Sequence, residues 1–328
     1  MRVGQNPEKT SERKLVHKRH RVIIPVYIPN EEGFYAQSVE VFHRTMESLF
    51  ETTGDETNIT IVNNNSIEVV EQSCREWVKS DKIDRYIAYS ENRGKAEVVL
   101  AAARGSWEDY ITVADADILF FPGWLEKVSE AFSTFPKLGV CGLLTSPFSQ
   151  SRATSTVYLD TLTRFSLKKD KVVSDEVIRE FTRSTGLSDS DREKMMLASK
   201  QHFLSKNGQH FLLGANHAAA TYAREIFFHE RNRKVIYPFR RKAKLIKSHF
   251  DIPSDKLGFW RMSFPRPLAY HMGNVPESPE RTEALQFDFP SEIRFPEKPP
   301  KQSLFRLLPY GLRSRLVNLF LKLTGSLY

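Results

Sequence analysis

The feature that most constrains the fold is a regular alternation of apolar strands and amphipathic helices over residues 21–144. Short β-branched runs at residues 22–24, 59–62 and 110–114 are each followed by a segment with apolar residues at helical spacing. Strands that alternate with helices in this way form a parallel sheet with helices on both faces. We therefore predict an α/β protein, a three-layer α/β/α sandwich around a mostly parallel sheet.

A proline or a polar residue follows each of these three strands. Pro25 follows the first strand, Asn64 the second, and Asp115-Ala116-Asp117 the strand of residues 110–114. Ligands of parallel sheets bind at the carboxyl ends of the strands, so we expect these residues to lie together. Two carboxylates are costly to bury there unless they meet a cation, and a hard divalent metal holding a diphosphate is the natural partner. For an Asp-x-Asp pair taken alone, a plain surface turn is the alternative.

The pattern changes after residue 144. Residues 149–208 are polar and charged, and we interpret them as a mostly helical insert in a main domain of residues 21–275. Residues 1–20 are predicted to form a flexible basic arm. Residues 276–300 are rich in proline and are predicted to form an extended linker.

The C-terminal residues 301–328 include five basic residues and no acidic one. They are predicted to form a helix with one stripe of leucines, which are Leu312, Leu316, Leu319 and Leu323. A basic amphipathic helix binds anionic membrane surfaces, and docking on the protein's own core is the alternative. No apolar run is long enough to span a bilayer, and the N-terminus lacks the apolar centre of a signal peptide. We predict a cytoplasmic protein that is peripheral on the cytoplasmic face of the membrane.

The net charge of +8 is concentrated in three segments, residues 1–21, 224–249 and 301–328. The densest cluster, residues 240–244, suggests an anionic ligand such as a phosphate or a lipid headgroup, although a solvated charged face is the common meaning of such a run. Zinc-finger spacing, an RNP motif and a KH loop are absent, so we predict no nucleic-acid partner.

Several modest motifs occur in a fixed order along residues 21–275. They are Val22-Ile23-Ile24-Pro25-Val26-Tyr27, the strand and turn of residues 61–66, Glu91-Asn92-Arg93-Gly94-Lys95-Ala96, the strand ending in Asp115-Ala116-Asp117, Gly214-Ala215-Asn216-His217-Ala218-Ala219, and the segment from Leu257-Gly258-Phe259 to His271-Met272-Gly273-Asn274. In this order and spacing they resemble family 2 glycosyltransferases with the GT-A nucleotide-sugar fold.

The resemblance implies a metal-dependent glycosyltransferase. Such an enzyme moves a sugar from a nucleoside-diphosphate sugar, with a UDP-sugar as first choice, to a hydroxyl of a glycan or lipid-linked acceptor. It implies surface polysaccharide or lipopolysaccharide-type biosynthesis, an inverting mechanism, and an acceptor site on the side of the 149–208 insert. A retaining outcome stays open. The alternatives are a sugar nucleotidyltransferase, whose Gly-rich loop after the first strand is missing here, and an inactive transferase-fold scaffold at the membrane.

The resemblance also assigns site residues. Asp115, Asp117 and His271 would hold Mn²⁺ or Mg²⁺, although a hydrogen-bonded core histidine is the alternative for His271. The donor site would comprise Pro25, Tyr27, Asn64, Asn92, Lys95, Asp115, Gly214 and Asn216. The sequence departs from the family at two points, since asparagines replace aspartates after the second strand and the Glu-Asp pair of the catalytic base is absent. We expect Asp251 to be the base, with Asp255 as the alternative, and a helix N-cap is the competing role.

Overall fold

The computed structural model describes residues 4–6, 17–145, 147–164, 166–230, 247–277 and 293–325. Most of the predicted basic arm (1–20), the basic cluster at 240–244 and most of the predicted linker (276–300) lie outside the described residues.

Ten described strands form one large sheet, and two more form a small one. The strands are β1 (His20–Val26), β2 (Thr57–Asn63), β3 (Arg85–Ala88), β4 (Tyr110–Ala114), β5 (Ile118–Phe120), β6 (Leu138–Gly142), β7 (Lys168–Asp170), β8 (Gln201–Lys206), β9 (Gln209–Leu213), β10 (Ala219–Ala223), β11 (Trp260–Ser263) and β12 (Ala269–His271). The large sheet has the order β3-β2-β1-β4-β10-β6-β11-β9-β8-β7. In it β10, β9 and β7 run against the other seven strands, so the sheet is mostly parallel, as predicted.

Helices cover both faces of the large sheet. They are α1 (Ser38–Thr52), α2 (Glu68–Lys79), α3 (Lys95–Arg104), α4 (Trp124–Thr134), α5 (Ser155–Leu162), α6 (Asp175–Ser184), α7 (Asp191–Ala198), α8 (Ile252–Lys256) and α9 (Tyr310–Leu323). Successive residues of β1 face opposite ways: Val22 and Ile24 pack with α1, α2 and α4, whereas Ile23 packs with α3. This arrangement confirms the three-layer α/β/α architecture.

The segment 149–208 is less helical than predicted. It contains α5, α6 and α7, but β7 and β8 also lie in it, and β8 pairs with β9 to extend the large sheet. The helical interpretation is wrong for residues 201–206 because Asn207 and Gly208, with φ of 51° and 75°, form the turn of a hairpin. An Asn-Gly pair between apolar runs is a strong hairpin signal, since both residues tolerate positive φ.

The amino ends of the parallel strands hold a buried ionic cluster. The fully buried Arg21 of β1 contacts Asp84 at 2.8 and 2.9 Å and Glu108 at 2.7 Å. Glu108 also accepts hydrogen bonds from the Asn58 side chain at 2.6 Å and from the Trp107 amide at 3.1 Å. Burial opposes ionisation of Glu108, but these donors and the charge of Arg21 outweigh it and hold its pKa below the usual value.

The C-terminal helix α9 docks on the body of the protein through one face only. Val317 and Leu321 are buried against the core, and Arg313 donates hydrogen bonds to Thr156 at 2.6 Å and to the Asp255 carbonyl at 2.9 Å. The predicted leucine stripe is on the other face and is exposed. None of the helices that the structure describes is both long and apolar enough to cross a bilayer.

Candidate active site

A cavity of about 700 Å³ lies at the carboxyl ends of β1 and β4. Five of the predicted site residues line it: Pro25, Tyr27, Asp115, Asp117 and His271. Its volume is within the range of sites that enclose a cofactor-sized ligand. The expectation that polar residues converge at this edge of the sheet is therefore met for β1 and β4.

Asp117 and His271 meet at the floor of this cavity. They come together because β5, which follows Asp117, pairs with β12, and the amide of Met272 donates to the Asp117 carbonyl at 2.8 Å. The Nδ1 of His271 lies 3.2 Å from the carbonyl of Ser184, which fixes Nδ1 as the protonated nitrogen because a carbonyl only accepts. Nε2, which carries a free electron pair when the imidazole is neutral, then faces Asp117 Oδ2 at 3.4 Å.

The residues at this point suit a divalent metal ion. When His271 is neutral, two electron-pair donors face each other, and Asp117 Oδ1 is buried without any hydrogen-bond partner. Burial raises the pKa of Asp117 to about 6, opposed by the positive charge that His271 carries when protonated and assisted by the charge of Asp115. A cation would satisfy the orphaned oxygen and the imidazole lone pair together, and oxygen and imidazole are ligands that Mn²⁺ accepts.

Asp115 has a different partner from Asp117. Its carboxylate is bound by the ammonium group of Lys95, at the first residue of α3. Within the described ranges, no three acidic, histidine or cysteine side chains already converge on one metal position. Lys95 therefore occupies one oxygen of Asp115, whereas Asp117 Oδ1 has no hydrogen-bond partner.

An aromatic rim closes one side of the cavity. Tyr27 and Tyr35 meet edge to face with ring centroids 6.4 Å apart, and Phe34, 68% exposed, packs edge to face on Tyr35 at 5.3 Å. Exposed aromatic rings at the mouth of a cavity are suited to stack on a planar ring such as a nucleotide base. Sequence reasoning found Tyr27 but missed Phe34 and Tyr35, although their position just after β1 was a usable signal.

The opposite wall comes from a distant part of the chain. Ser184, Thr185 and Gly186, which end α6, line the cavity beside His271. These residues belong to the 149–208 insert, and nothing in their local sequence indicated a role at the site. They reach it because α6 packs against β12.

Asn64 and Asn92 support the site from below and do not line the cavity. The side-chain amide of Asn64 donates a hydrogen bond to the side-chain oxygen of Asn92 at 2.9 Å and accepts one from the backbone amide of Arg93 at 2.9 Å. The side-chain oxygen of Asn92 also accepts a hydrogen bond from the backbone amide of Gly94 at 2.9 Å. Both side chains thus brace the loop that leads into α3 and Lys95. The plain asparagine-turn interpretation of Asn64 fits this geometry better than contact with a nucleotide base.

Gly214 and Asn216 lie beyond the main cavity. At Gly214 φ is +95°, and a Cβ there would come 2.2 Å from the Ser149 carbonyl, so only glycine allows the two segments to touch. Asn216 lines a second cavity of about 200 Å³ and accepts a hydrogen bond from the Ala218 amide at 2.9 Å. Ala218 in turn accepts from the Asp115 amide at 2.8 Å, which links the two cavities through the backbone.

Asp251 lies at the inner end of the second cavity. Its carboxylate lies 2.8 Å from the guanidinium group of the buried Arg261 and 3.5 Å from Nδ1 of His217. The contact with Arg261 is an ion pair whose atoms are not aligned as a hydrogen bond. Burial alone would raise the pKa of Asp251, but the charge of Arg261 and the contact with His217 outweigh it, so the pKa is lowered. The carboxylate is therefore ionised at neutral pH.

Asp255 is a structural cap. It is fully buried at the start of α5, where its oxygens accept from the Ser155 amide at 3.0 Å and the Thr156 amide at 2.8 Å, as well as from both hydroxyl groups. Arg313 lies 3.7 Å away. With its oxygens occupied and no exposure, this carboxylate does not suit the alternative role as catalytic base.

The chain was also compared with known proteins. A protein-family model described as Glycosyl transferase family 2 matches residues 22–187, which is half of the chain. Curated proteins gave no match.

Solved structures with matching folds have low sequence identity. A mannosyltransferase, PcManGT from Pyrobaculum calidifontis in complex with GDP-Man and Mn²⁺, is 13% identical with a TM-score of 0.43, over 76% of this chain and 55% of that one. TarS 1-349 from S. aureus is 11% identical with a TM-score of 0.45, over 77% and 59%. The complex of TarS 1-349 with UDP-GlcNAc is 11% identical in sequence, with a TM-score of 0.43. The match covers 81% of this chain and 61% of that one. The chain thus covers less than two thirds of these relatives.

Proposed function

The chain belongs to glycosyl transferase family 2 and has a GT-A fold, and on this premise we propose that it transfers a sugar from a nucleoside-diphosphate sugar to a hydroxyl group. The first candidate nucleotide is UDP. The acceptor is a glycan or a lipid-linked glycan, in surface polysaccharide or lipopolysaccharide-type biosynthesis, and the configuration of the sugar is inverted.

One observation carries the proposal. In the 700 Å³ cavity, Asp117 has a buried oxygen without a partner and faces Nε2 of His271. An ionised carboxylate without donors is costly to bury. Together with the imidazole nitrogen of His271 in the same cavity, this carboxylate suits a divalent cation.

The cavity residues divide into two groups in this proposal. Tyr27, Phe34 and Tyr35 hold the nucleotide base by stacking, while Asp117 and His271 hold Mn²⁺ or Mg²⁺. The ion, when bound, stabilises the negative charge of the leaving diphosphate. Lys95 would bind a diphosphate oxygen of the donor, and Asp115 would then be available as a further ligand of the ion.

Asp251 is the proposed general base. A carboxylate that is ionised at neutral pH can accept the proton of the acceptor hydroxyl as the new bond to the sugar forms. Arg261 and His217 hold it in place at the inner end of the second cavity. A lowered pKa makes Asp251 a weak base, so we expect proton transfer late in the reaction.

The exposed face of the C-terminal segment supports a peripheral position at an anionic, cytoplasmic membrane surface. Seven leucines of residues 304–323 are exposed: Leu304, Leu307, Leu308, Leu312, Leu316, Leu319 and Leu323. Exposed Arg306, Arg315 and Lys322 lie among them, and the segment 301–325 has no acidic residue. The leucine face, as we call this set of seven, combines apolar area and positive charge, the two terms of interfacial binding.

Thermal denaturation of the purified protein tests the donor site. Screening UDP-, GDP-, CMP- and dTDP-sugars with and without Mn²⁺ should give stabilisation by one nucleotide class, and only with the metal. Asp117→Asn should abolish this stabilisation and lower transfer at least about a hundredfold. A matched control is Asp109→Asn, which removes an exposed carboxylate paired with Arg19 and should change neither. Stabilisation of Asp117→Asn equal to that of the wild type would refute the metal assignment.

Vesicle sedimentation tests the membrane position. Leu316→Ser with Leu319→Ser should reduce binding to phosphatidylglycerol vesicles without changing thermal stability, because both side chains are exposed. Val78→Ser, an exposed apolar residue of α2, serves as the control and should bind like the wild type. Equal binding by all three proteins would rule out the leucine face as the contact surface.

A further inference from the structure

A groove leads away from Asp251 toward the surface of the insert. The second cavity, of about 200 Å³, is continued by another of about 270 Å³, and Phe148, Arg152 and Arg192 line both. The inner end holds Asp251 and the outer end Met195. We call these two cavities the arginine groove.

The arginine groove is separate from the donor cavity. The turn after α6 forms the wall between them: Ser184, Thr185 and Gly186 face the donor cavity, while Phe181 and Leu187 face the groove. The two cavities have no lining residue in common among the described residues. A ligand in the groove would therefore reach Asp251 without entering the donor cavity.

The backbone on the Arg152 side of the groove is rigid. The Gln150 side chain accepts from the His202 amide at 3.0 Å, and the Gln150 carbonyl accepts from the Thr154 hydroxyl at 2.7 Å. The close contact between Gly214 and Ser149 fixes the same turn against β9. Arg152 thus projects from a well-held scaffold, as a binding residue requires.

Arg192 lies between two acidic residues, Asp191 and Glu193, and neither is paired with it. Asp191 lies 3.8 Å from the ammonium group of Lys194. Glu193 accepts from the Thr182 hydroxyl at 2.6 Å and from the Asp189 amide at 2.6 Å, and its own amide donates to the Ser190 hydroxyl at 3.2 Å. This capping arrangement directs the carboxylate of Glu193 into the protein. Arg192 therefore keeps its charge without a counterion from its own turn.

The groove as a whole carries uncompensated positive charge. Neither Arg152 nor Arg192 forms an ion pair with a described residue. The one carboxylate that lines the groove, Asp251, already pairs with Arg261. Two guanidinium groups in a concave site attract an anion, and their planar donor sets match the oxygens of a phosphate.

We propose that the arginine groove binds a phosphate group of the acceptor, so that an acceptor hydroxyl reaches Asp251 while its phosphate lies between Arg152 and Arg192. This inference rests on the proposed function, because it names the class of acceptor for that reaction. Phe148 and Met195 supply apolar walls for the part of the acceptor that extends from the phosphate to the outer end of the groove. The phosphate belongs either to a glycan or to a lipid headgroup.

Binding of two probes tests the proposal in the full chain. One probe is sn-glycerol 3-phosphate, measured by calorimetry with EDTA present so that no metal holds the phosphate. The other is a phosphatidylglycerol vesicle. Arg152→Gln with Arg192→Gln should weaken binding of one of them about tenfold or more, because hydrogen bonds to charged groups are lost. Loss with glycerol phosphate assigns a glycan phosphate, and loss with vesicles alone assigns a headgroup.

Lys194→Gln is the matched control, since it removes one exposed positive charge from the same helix, outside the groove. It should bind both probes like the wild type. Equal binding by the double arginine variant and the wild type, or an equal loss in Lys194→Gln, would overturn the proposal.

The donor screen separates this inference from the proposed function. The double arginine variant should keep the stabilisation by nucleotide sugar and Mn²⁺, because the donor cavity shares no residue with the groove. Phosphate binding that depends on the arginines, without any response to a nucleotide sugar, would support the groove and refute the transferase. A donor response without arginine-dependent phosphate binding would refute the groove alone.

Discussion

The two ends of the parallel sheet both contain buried charges, and they differ in how these charges are satisfied. At the amino end, both oxygens of Glu108 accept hydrogen bonds and Arg21 pairs with two carboxylates. At the carboxyl end, Asp117 has an oxygen without a partner and faces Nε2 of His271 at the donor cavity. Nε of Arg21 also lacks a hydrogen-bond partner, so neither burial of charge nor one unpartnered atom marks a site. The unpartnered oxygen of Asp117 is informative because it lies beside a second potential metal ligand in a cavity.

Glu108→Gln should have the largest effect on stability. The amide leaves Arg21 with one of its two carboxylates, Asp84, so we expect a cost of about 3 kcal/mol, the lower end of the range for a buried ion pair that loses a partner. Urea denaturation should show this decrease in the free energy of unfolding, while donor binding per folded molecule stays unchanged. A decrease in the free energy of unfolding of less than about 1 kcal/mol is what exposed ion pairs give. Such a result would show that the charges at the amino end of the sheet are not stabilised by their partners.

Asp117→Asn should change stability in the opposite direction when no metal is present. The native pKa of about 6 lies above the unfolded value of 3.8, so ionisation of Asp117 lowers stability as pH rises between these values. Near neutral pH an amide avoids this cost, and we expect a gain of about 1–2 kcal/mol in metal-free denaturation. Mn²⁺ should then stabilise the wild type but not the variant. A destabilised metal-free variant would show that the carboxylate has a structural role.

The smallest effect concerns His20, which lies at the amino end between Thr57 and Thr112. Burial lowers the pKa of His20 to about 3, so the native protein binds fewer protons than the unfolded chain below pH 6.5. Stability should therefore fall as pH decreases, with a slope approaching about 1.4 kcal/mol per pH unit from this residue. His20→Gln should lack this part of the slope. Equal slopes in both proteins between pH 6.5 and 5 would contradict the assignment.

Local patterns predicted the fold of the first half of the chain well. The strand of Tyr110–Ala114 has the bounds that the sequence indicated. It was predictable because its continuous run of apolar and β-branched residues agrees with its burial on both faces of the sheet. The 201–206 segment was not recognised as a strand, because the polar residues around Asn207-Gly208 obscured a hairpin that the turn itself specifies.

The sequence by itself determined which strand ends would carry polar residues, since β-branched runs mark the strands and the residues that follow them are adjacent in the chain. Only the tertiary structure decided which partner each residue meets. Pairing of β5 with β12 brought His271 to Asp117 across 154 positions of the chain, and the first residue of α3 brought Lys95 to Asp115. The tertiary structure also made Asp255 a helix cap and placed Asp251 in the arginine groove, although the two residues are only four positions apart in the chain. Side-chain partners are set by long-range packing, which local periodicity does not encode.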